Sequence, residues 1–282
     1  MFPLAGSEFP TAANDLASAI EEALGEVFKL KKGTGAAVEG GEKFPHVKHV
    51  RIDLDGARVD ASEPPPKPIG VGKRKRGITV DRLEISGHPI HYEKAKLDLE
   101  LDAKGLSFDF DRDKAGRPLL VLTDADEGTV EAKISKKDID ALLLAAVTLG
   151  AKQQGVAIQE FEVALTSNGP RSVAAEVRIK AKKMMMSGVI RVTGAVDVDD
   201  ELNAAISGLR CTGEGIVGTT AAAFLQKHLA EYDGQEFPLM AFSLGDLALR
   251  DLEIELNGTL QVSAAFGKSK GKTPRKGKTK HA

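Results

Sequence analysis

Residues Val177–Val198 read VRIKAKKMMMSGVIRVTGAVDV. From Met184 onward every even position is apolar or glycine: Met184, Met186, Gly188, Ile190, Val192, Gly194, Val196 and Val198. The odd positions mix Met185, Ser187, Val189, Arg191, Thr193, Ala195 and Asp197. A period of two assigns a β-strand with one greasy face. The 15 residues from Met184 to Val198 would span roughly 50 Å at about 3.3 Å each, where ordinary strands run to about 5–6 residues. Such a wall needs a cover. An ordinary core would lay apolar helices at 136–150 and 202–230 over it. The alternative is a gap enclosed between sheet and helices. Methionine suits a gap, because its unbranched side chain repacks around varied acyl chains, and Gly188 and Gly194 would thin the wall.

The flanking sequence repeats the theme. Ala95, Leu97, Leu99, Leu101 and Ala103 alternate with charged residues, a second long one-faced strand. Leu106, Phe108 and Phe110 continue on shifted phase after Gly105, which predicts a bulge. Strands are also predicted at 78–85, 118–123, 128–134, 156–166, 237–242 and 247–262, and over 46–59 with a bend at Asp55-Gly56. A turn is expected at Ser167-Asn168-Gly169-Pro170. An amphipathic helix covers 11–31, with Leu16, Ile20, Leu24, Val27 and Phe28 on one face and Thr11 or Asn14 to cap it. Ser135 with Asp138 three residues on opens a second helix, whose face carries Ile139, Leu142, Leu143, Ala146 and Val147. A helical block follows over 199–232. The segment SEPPPKPIGVGKRKRG, 62–77, reads as a linker or long loop. Short turns between successive strands imply antiparallel pairing, so the fold class is α+β: long, curved antiparallel sheet around apolar helices.

Composition sets outer bounds. With 282 residues, 42% apolar and 28% charged, the chain folds. No Trp and two Tyr argue against aromatic stacking platforms for bases or sugars. The lone Cys211 excludes an internal disulfide and reads as a small buried hydrophobe. The N-terminal stretch MFPLAGSEFPTAAND has no basic start and no long apolar run, so it is not read as a secretory signal, and no stretch approaches about 20 uninterrupted apolar residues. The expectation is a cytoplasmic protein. Of 39 Lys/Arg, seven lie in the tail GKSKGKTPRKGKTKHA, leaving a body with 32 basic and 41 acidic residues. A basic tail on an acidic body suggests peripheral approach to an anionic inner membrane surface through Lys268, Lys270, Lys272, Arg275 and Lys276. A solubilising tail and phosphate binding are its other uses, and the acidic body argues against nucleic acid as the main partner.

Motifs for chemistry are weak. Asp109, Asp111 and Asp113 begin like a calcium loop, but Lys114 stands where glycine belongs and Leu120 where glutamate does. His46, His49, His88 and His91 have no Cys or Glu to complete a zinc set. Asp124, Asp126 and Glu127 form an acidic turn, the bland counterpart of an acid–base pair. Gly213, Gly215 and Gly218 spell G-x-G-x-x-G, read as accidental because no strand is expected before them and Glu214 would face a phosphate. No cofactor or metal is implied. The domain reading is an N-terminal helix, strand and Pro/Lys-rich loop over 1–77 belonging to the same fold, a main domain over 78–262, and a disordered basic tail over 263–282.

Four stretches carry a resemblance: ISGHPIHYEKAKLDLELDAKGL, GTVEAKISKKDIDALL, EFEVALTSNGPRSVAAEVRIKA and LMAFSLGDLALRDLEIELNGTL. From about Ile78 to Leu256 the chain resembles the bacterial lipid-binding proteins of the TULIP type, in particular the actinobacterial family known from lipomannan elongation. Gly87 before His88-Pro89, the helix start at Ser135, Asp138 and Ile139, and a final strand pair after Pro238 match its pattern. Members carry an N-terminal signal or anchor, and none is read here. The resemblance implies a curled sheet around a long helix, an apolar cavity for acyl chains or phospholipid-like ligands, and no catalytic set. Phase alone then nominates the lining: Met184, Met186, Ile190 and Val192 on one strand, Leu97, Leu99 and Leu101 on the other, and Leu142, Leu143 and Val147 on the helix. The competing readings are a closed-core scaffold without ligand and a lipid hydrolase using Asp124, Asp126 or His88.

Overall fold

The computed structural model describes residues 1–59, 69–153, 155–199, 203–238 and 249–268. In chain order the elements are β1 (Phe2–Pro3), α1 (Ala13–Val27), β2 (Phe28–Lys29), β3 (Gly35–Gly40), β4 (His46–Asp53), β5 (Arg58–Val59), β6 (Lys75–Tyr92), β7 (Ala95–Arg112), β8 (Pro118–Asp124), β9 (Glu127–Ser135), α2 (Lys136–Gln153), β10 (Ala157–Gly169), β11 (Ser172–Lys183), β12 (Met186–Val198), β13 (Asn203–Glu214), α3 (Gly215–Leu229), β14 (Glu236–Pro238), β15 (Leu249–Leu256) and β16 (Thr259–Phe266). They form an 11-stranded sheet, with the order β15-β16-β9-β7-β6-β4-β3 along its main path, and a 5-stranded sheet, β10-β11-β12-β13-β14. The class is α+β, dominated by long antiparallel strands.

β6 and β7 are the spine of the larger sheet, 18 residues each. The strand expected over 78–85 runs on through Pro89. That proline sits where the β6–β7 register shifts between Gly87 and Ile90, and a bulge tolerates a residue that cannot donate to the ladder. The strand also starts earlier, at Lys75, so the end of the stretch read as a loop is paired with β7; the rest of that stretch to residue 68 lies outside the described residues. β7 pairs with β9 from Leu97 to Lys104 and with β8 from Ser107 to Arg112, on one edge. Gly105, φ +60, marks the change of partner, and the Asp126 carboxylate occupies the space a Cβ there would need, 2.2 Å away. The expected phase shift is therefore real, but the expected bulge is not found there, since the register with β6 is the same on both sides of Gly105. The shift keeps Leu101, Leu106 and Phe108 facing the same cavity. Not all pairing is antiparallel: β4 and β5 run parallel to β6, because the chain between β4 and β6 is long enough for a crossover.

α1 lays Leu16, Ile20, Ala23 and Leu24 on this sheet. The stripe joins Val47, Val50, Ile52, Ile78, Val80, Leu106, Leu120 and Phe266 in the main core. Each large aliphatic side chain buried in this way contributes about 1.5–3 kcal/mol. The helix begins after Ala12, and Thr11 instead holds the Asp15 carboxylate through its hydroxyl at 2.9 Å. α2 starts as expected: the Asp138 amide donates to Ser135 Oγ at 3.1 Å, and the Ser135 hydroxyl donates to the Asp138 carboxylate.

The smaller sheet departs from the sequence reading in three places. The long strand does not begin at Met184. Met184 and Met185 form a two-residue turn between paired Lys183 and Met186, and the wall proper is the 13-residue β12. The block expected to be helical from 199 is a strand, β13, up to Glu214; Ile206 and Leu209 lie on it, and Leu202 lies outside the described residues. Only α3, with Phe224, Leu225, His228 and Leu229, is helical as expected. The turn expected at 167–170 falls at Pro170-Arg171. In the larger sheet, the single strand expected over 247–262 is the β15–β16 hairpin, turned at Asn257-Gly258 with Gly258 at φ +73. The first strand of that final pair is short, β14 ending at Pro238, and its expected continuation to 242 lies outside the described residues.

α3 covers the inner face of β12 and β13 by backbone contact. A Cβ on Gly218 would stand 2.4 Å from the Val189 carbonyl oxygen, one on Gly188 would stand 2.3 Å from the Gly218 nitrogen, and one on Gly213 would stand 2.1 Å from the Gly218 oxygen. The helix lies as close as it does because none of the three carries a side chain. Gly25 in α1 is the opposite case, with nothing within 4 Å of a Cβ. Gly218→Ala is expected to lower stability by about 2 kcal/mol or more, since backbone must move, whereas Gly25→Ala should raise it by about 0.5–1 kcal/mol. Urea melts of the two variants check this; equal effects would remove the close-packing account.

Candidate functional site

The ten residues nominated as one lining do not meet. Met184 and Met186 are exposed on the β11–β12 hairpin, because the chain turns where the sequence pattern continued. Ile190 and Val192 lie on β12, Ile190 buried and opposite Gly213, Val192 opposite Cys211. Leu97, Leu99 and Leu101 are half-buried on β7 in the other sheet. On α2, Leu142 and Val147 are half-buried and Leu143 is exposed. Of the ten, Leu101 alone lines the apolar cavity found in the larger sheet.

That cavity lies between α1 and the larger sheet and has a volume of about 230 Å³. Leu16 and Ile20 reach it from α1, Val50 and Ile52 from β4, Leu101 and Phe108 from β7. All sixteen residues around it are apolar, Met1 and Phe2 among them. Met1 is partly exposed, so the cavity opens on that side. The sequence held the signal, in the α1 stripe and in the in-phase Val50, Ile52 and Leu54. What hid it was the greater length of the pattern at 184–198, which drew the expected site to the wrong sheet.

Strand alternation places the opposite chemistry on the other face of the same sheet. Arg51, Asp53, Glu84, Glu100, Asp102 and Glu131 line an open depression of about 700 Å³. Its charges are largely matched: Arg82 reaches Glu84 at 2.6 Å and Asp102 at 2.5 Å, His49 reaches Glu84 at 2.8 Å, and Lys133 pairs with Glu131. Asp102 raises the Arg82 pKa, chiefly by accepting its hydrogen bond. This is a solvated face of paired ions, where solvent screening leaves each exposed pair with little effect on stability.

The other sequence candidates resolve into local structure. Asp111, 2% exposed, accepts the Gly72 amide at 3.1 Å and the Arg112 amide at 2.8 Å. Asp113 closes the hairpin, accepting from the Ala115 and Arg117 amides at 2.9 and 2.8 Å, and the Arg117 amide is the main cause of its lowered pKa. His46 pairs with Asp81 and His88 with Glu100. Among the described residues no group of three or more His, Cys, Asp or Glu is placed to hold a metal ion. The acidic turn is closed by Lys268, whose Nζ lies 2.6 Å from Asp124 and 3.4 Å from Asp126 and whose pKa those carboxylates raise. Lys268 was nominated for membrane approach; it pins the end of β16 to this turn, its amide donating to Ala125 O at 3.0 Å. Lys270, Lys272, Arg275 and Lys276 lie outside the described residues.

The G-x-G-x-x-G stretch also needs correction. A strand, β13, does lead into it, and α3 begins at Gly215. The glycines serve the contact of helix on strand, the sheet is antiparallel, and Glu214 stands at the helix start, where its charge opposes an anion. No helix among the described residues is long and apolar enough to cross a membrane.

Comparison with family models, with curated proteins and with solved structures finds no match to this chain.

Cys211 sits half-buried beneath α3, its amide donating to Gln226 Oε1 at 2.6 Å. Burial pushes its thiol pKa up, so less thiolate is present near neutral pH than in a free cysteine. With a thiol-reactive dye at pH about 8, the folded protein should label at least about tenfold more slowly than the protein in urea; equal rates would show an accessible thiol.

Proposed function

We propose that this protein binds a single acyl chain, or an apolar ligand of similar bulk, in the chamber between α1 and the larger sheet, without converting it. The chamber's wholly apolar lining carries this reading. A cavity with no polar partner stays dry, and an apolar ligand gains by filling it. Volume sets the ligand class. An apolar cavity of about 150 Å³ accepts benzene, so about 230 Å³ suits one short chain segment, and a two-chain phospholipid would require α1 to move. This reading also carries the finer form of the fold, a sheet curled around its helix as in TULIP-type proteins, with α1 in the place first given to α2. The hydrolase reading loses its residues, since Asp124 and Asp126 are held by Lys268 and His88 by Glu100.

A closed scaffold is the second reading, and α3 favours it. Helix backbone at Gly218 lies directly against Gly188 on β12 and Gly213 on β13, so that contact leaves no room for a ligand.

Native mass spectrometry of delipidated full-length protein separates the two. A medium-chain fatty acid should add at one per chain, and a diacyl phospholipid should not. Leu83→Trp, which fills the chamber from β6, should weaken uptake by about tenfold with the circular dichroism spectrum kept, while Ile190→Val, beneath α3, should leave uptake unchanged. No uptake by the unmodified protein, or equal loss in both variants, would move the reading to the closed scaffold.

A further inference from the structure

The β11–β12 tip breaks a rule of turn chemistry. Its two residues are Met184 and Met185, and Met184 has φ +55. At the first position of such a turn glycine is the usual residue, because a side chain at positive φ is strained. Stability therefore does not explain methionine here. Exposure points the same way: Met184 is 84% and Met185 94% exposed, with Met186 at 45%. Ile216, 71% exposed, joins them, because α3 starts against this hairpin: a Cβ on Gly215 would lie 2.9 Å from the Ser187 carbonyl oxygen.

The hairpin end itself carries only basic charge. Along the outer face of the sheet, Glu160 pairs with Lys180, Glu162 with Arg178 and Glu176 with Arg191. The series stops before the tip. Lys182 and Lys183 are exposed, with no ion-pair partner among the described residues; of the acids on the nearest rung, Glu160 is taken up by Lys180, and the exposed Glu214 stands two strands away opposite Val189.

We propose that this tip is a membrane-docking element: Met184, Met185, Met186 and Ile216 enter the interfacial layer of a bilayer, and Lys182 and Lys183 meet anionic headgroups. The inference stands apart from the chamber. A protein partner fits the geometry less well, since a stable interface needs about 800 Å² per partner and a two-residue convex tip with four apolar side chains offers far less. A bilayer needs no matched surface. Shallow insertion of a few apolar groups with a small basic patch gives weak, reversible binding that is sensitive to lipid charge and salt.

The test is flotation of full-length protein with vesicles of phosphatidylcholine containing phosphatidylglycerol, against phosphatidylcholine alone, at low and high salt. The unmodified protein should float with the anionic vesicles at low salt. The double variant Met184→Gly, Met185→Ser relieves the strained position, so it should keep or raise the melting temperature while floating about tenfold less. Lys182→Glu with Lys183→Glu should abolish the preference for anionic lipid. Three results would overturn the proposal: no flotation of the unmodified protein, equal flotation of the Gly/Ser variant (which would assign binding to the tail or another surface), or a fall in oligomeric mass in that variant (which would make the tip a self-association surface).

Discussion

The larger sheet depends on keeping one face of β7 apolar over its whole length. A side-chain period of two allows no error: a slip of one residue sends the apolar set to solvent and the acids to the core. β7 meets two partners on one edge, β9 and then β8, and a change of partner invites such a slip. Gly105 absorbs it. Its positive φ turns the strand while the register with β6 stays the same on both sides, Val80 opposite Leu106 and Arg82 opposite Lys104, and the sequence shifts its apolar phase at the same point. The acidic turn 124–126 joins β8 to β9 beside that glycine, and Lys268 holds the turn from the end of β16. Glycine, turn and terminal strand are thus one feature, and α1 finds a continuous apolar floor because of it.

The two sheets bury their inner faces by different means. Under α1, large side chains interlock and leave a cavity of about 230 Å³. Under α3, glycines remove the side chains, and helix and strands meet backbone to backbone. The first arrangement carries most of the hydrophobic stabilisation, since it contains Leu16, Leu106, Leu120 and Phe266. The second forgoes that area for proximity. A void is found where packing relies on matching large shapes, and none where chain rests on chain. This asymmetry is the physical reason the candidate ligand site belongs to the larger sheet. A small cluster of Val198, Ala204, Leu252 and Ala264 joins the two sheets, together with Arg171, which donates to the Leu252 carbonyl at 3.1 Å.

Much of this was legible in the sequence. The phase shift after Gly105, the cap at Ser135, the α1 stripe and the strands on either side of the acidic turn all follow from local patterns whose period matches their burial. The failures share one cause: a pattern that satisfies two structures. The even-numbered apolar run from Met184 continues unbroken through a turn, because its first members are apolar for a reason other than burial. At β13, Ile206 and Leu209 sit three apart, a helical spacing, although the strand that carries them is half-covered by α3. Asn257-Gly258 is a plain hairpin signal, outweighed in the pattern by apolar residues on both sides that read as one strand. The position of the cavity was not legible, since phase tells which face a residue takes and not which helix covers it.

Charge completes the division of labour between faces. Several acids on the open faces pair with bases, as Asp102 does with Arg82 and Glu160 with Lys180, and pairs this exposed contribute little to stability. Their effect is on the surface field: matched pairs leave a face close to neutral, so the unmatched groups set what the protein attracts. In the smaller sheet these include Lys182 and Lys183, at the end where methionines are exposed. In the larger sheet the acids of the 124–127 turn are already answered by Lys104 and Lys268, so the chain enters its basic tail with its first lysine engaged. An acidic protein in net terms can in this way present a basic end. The sign that a charged surface meets depends on which end approaches, and net charge alone gives the wrong answer for this molecule.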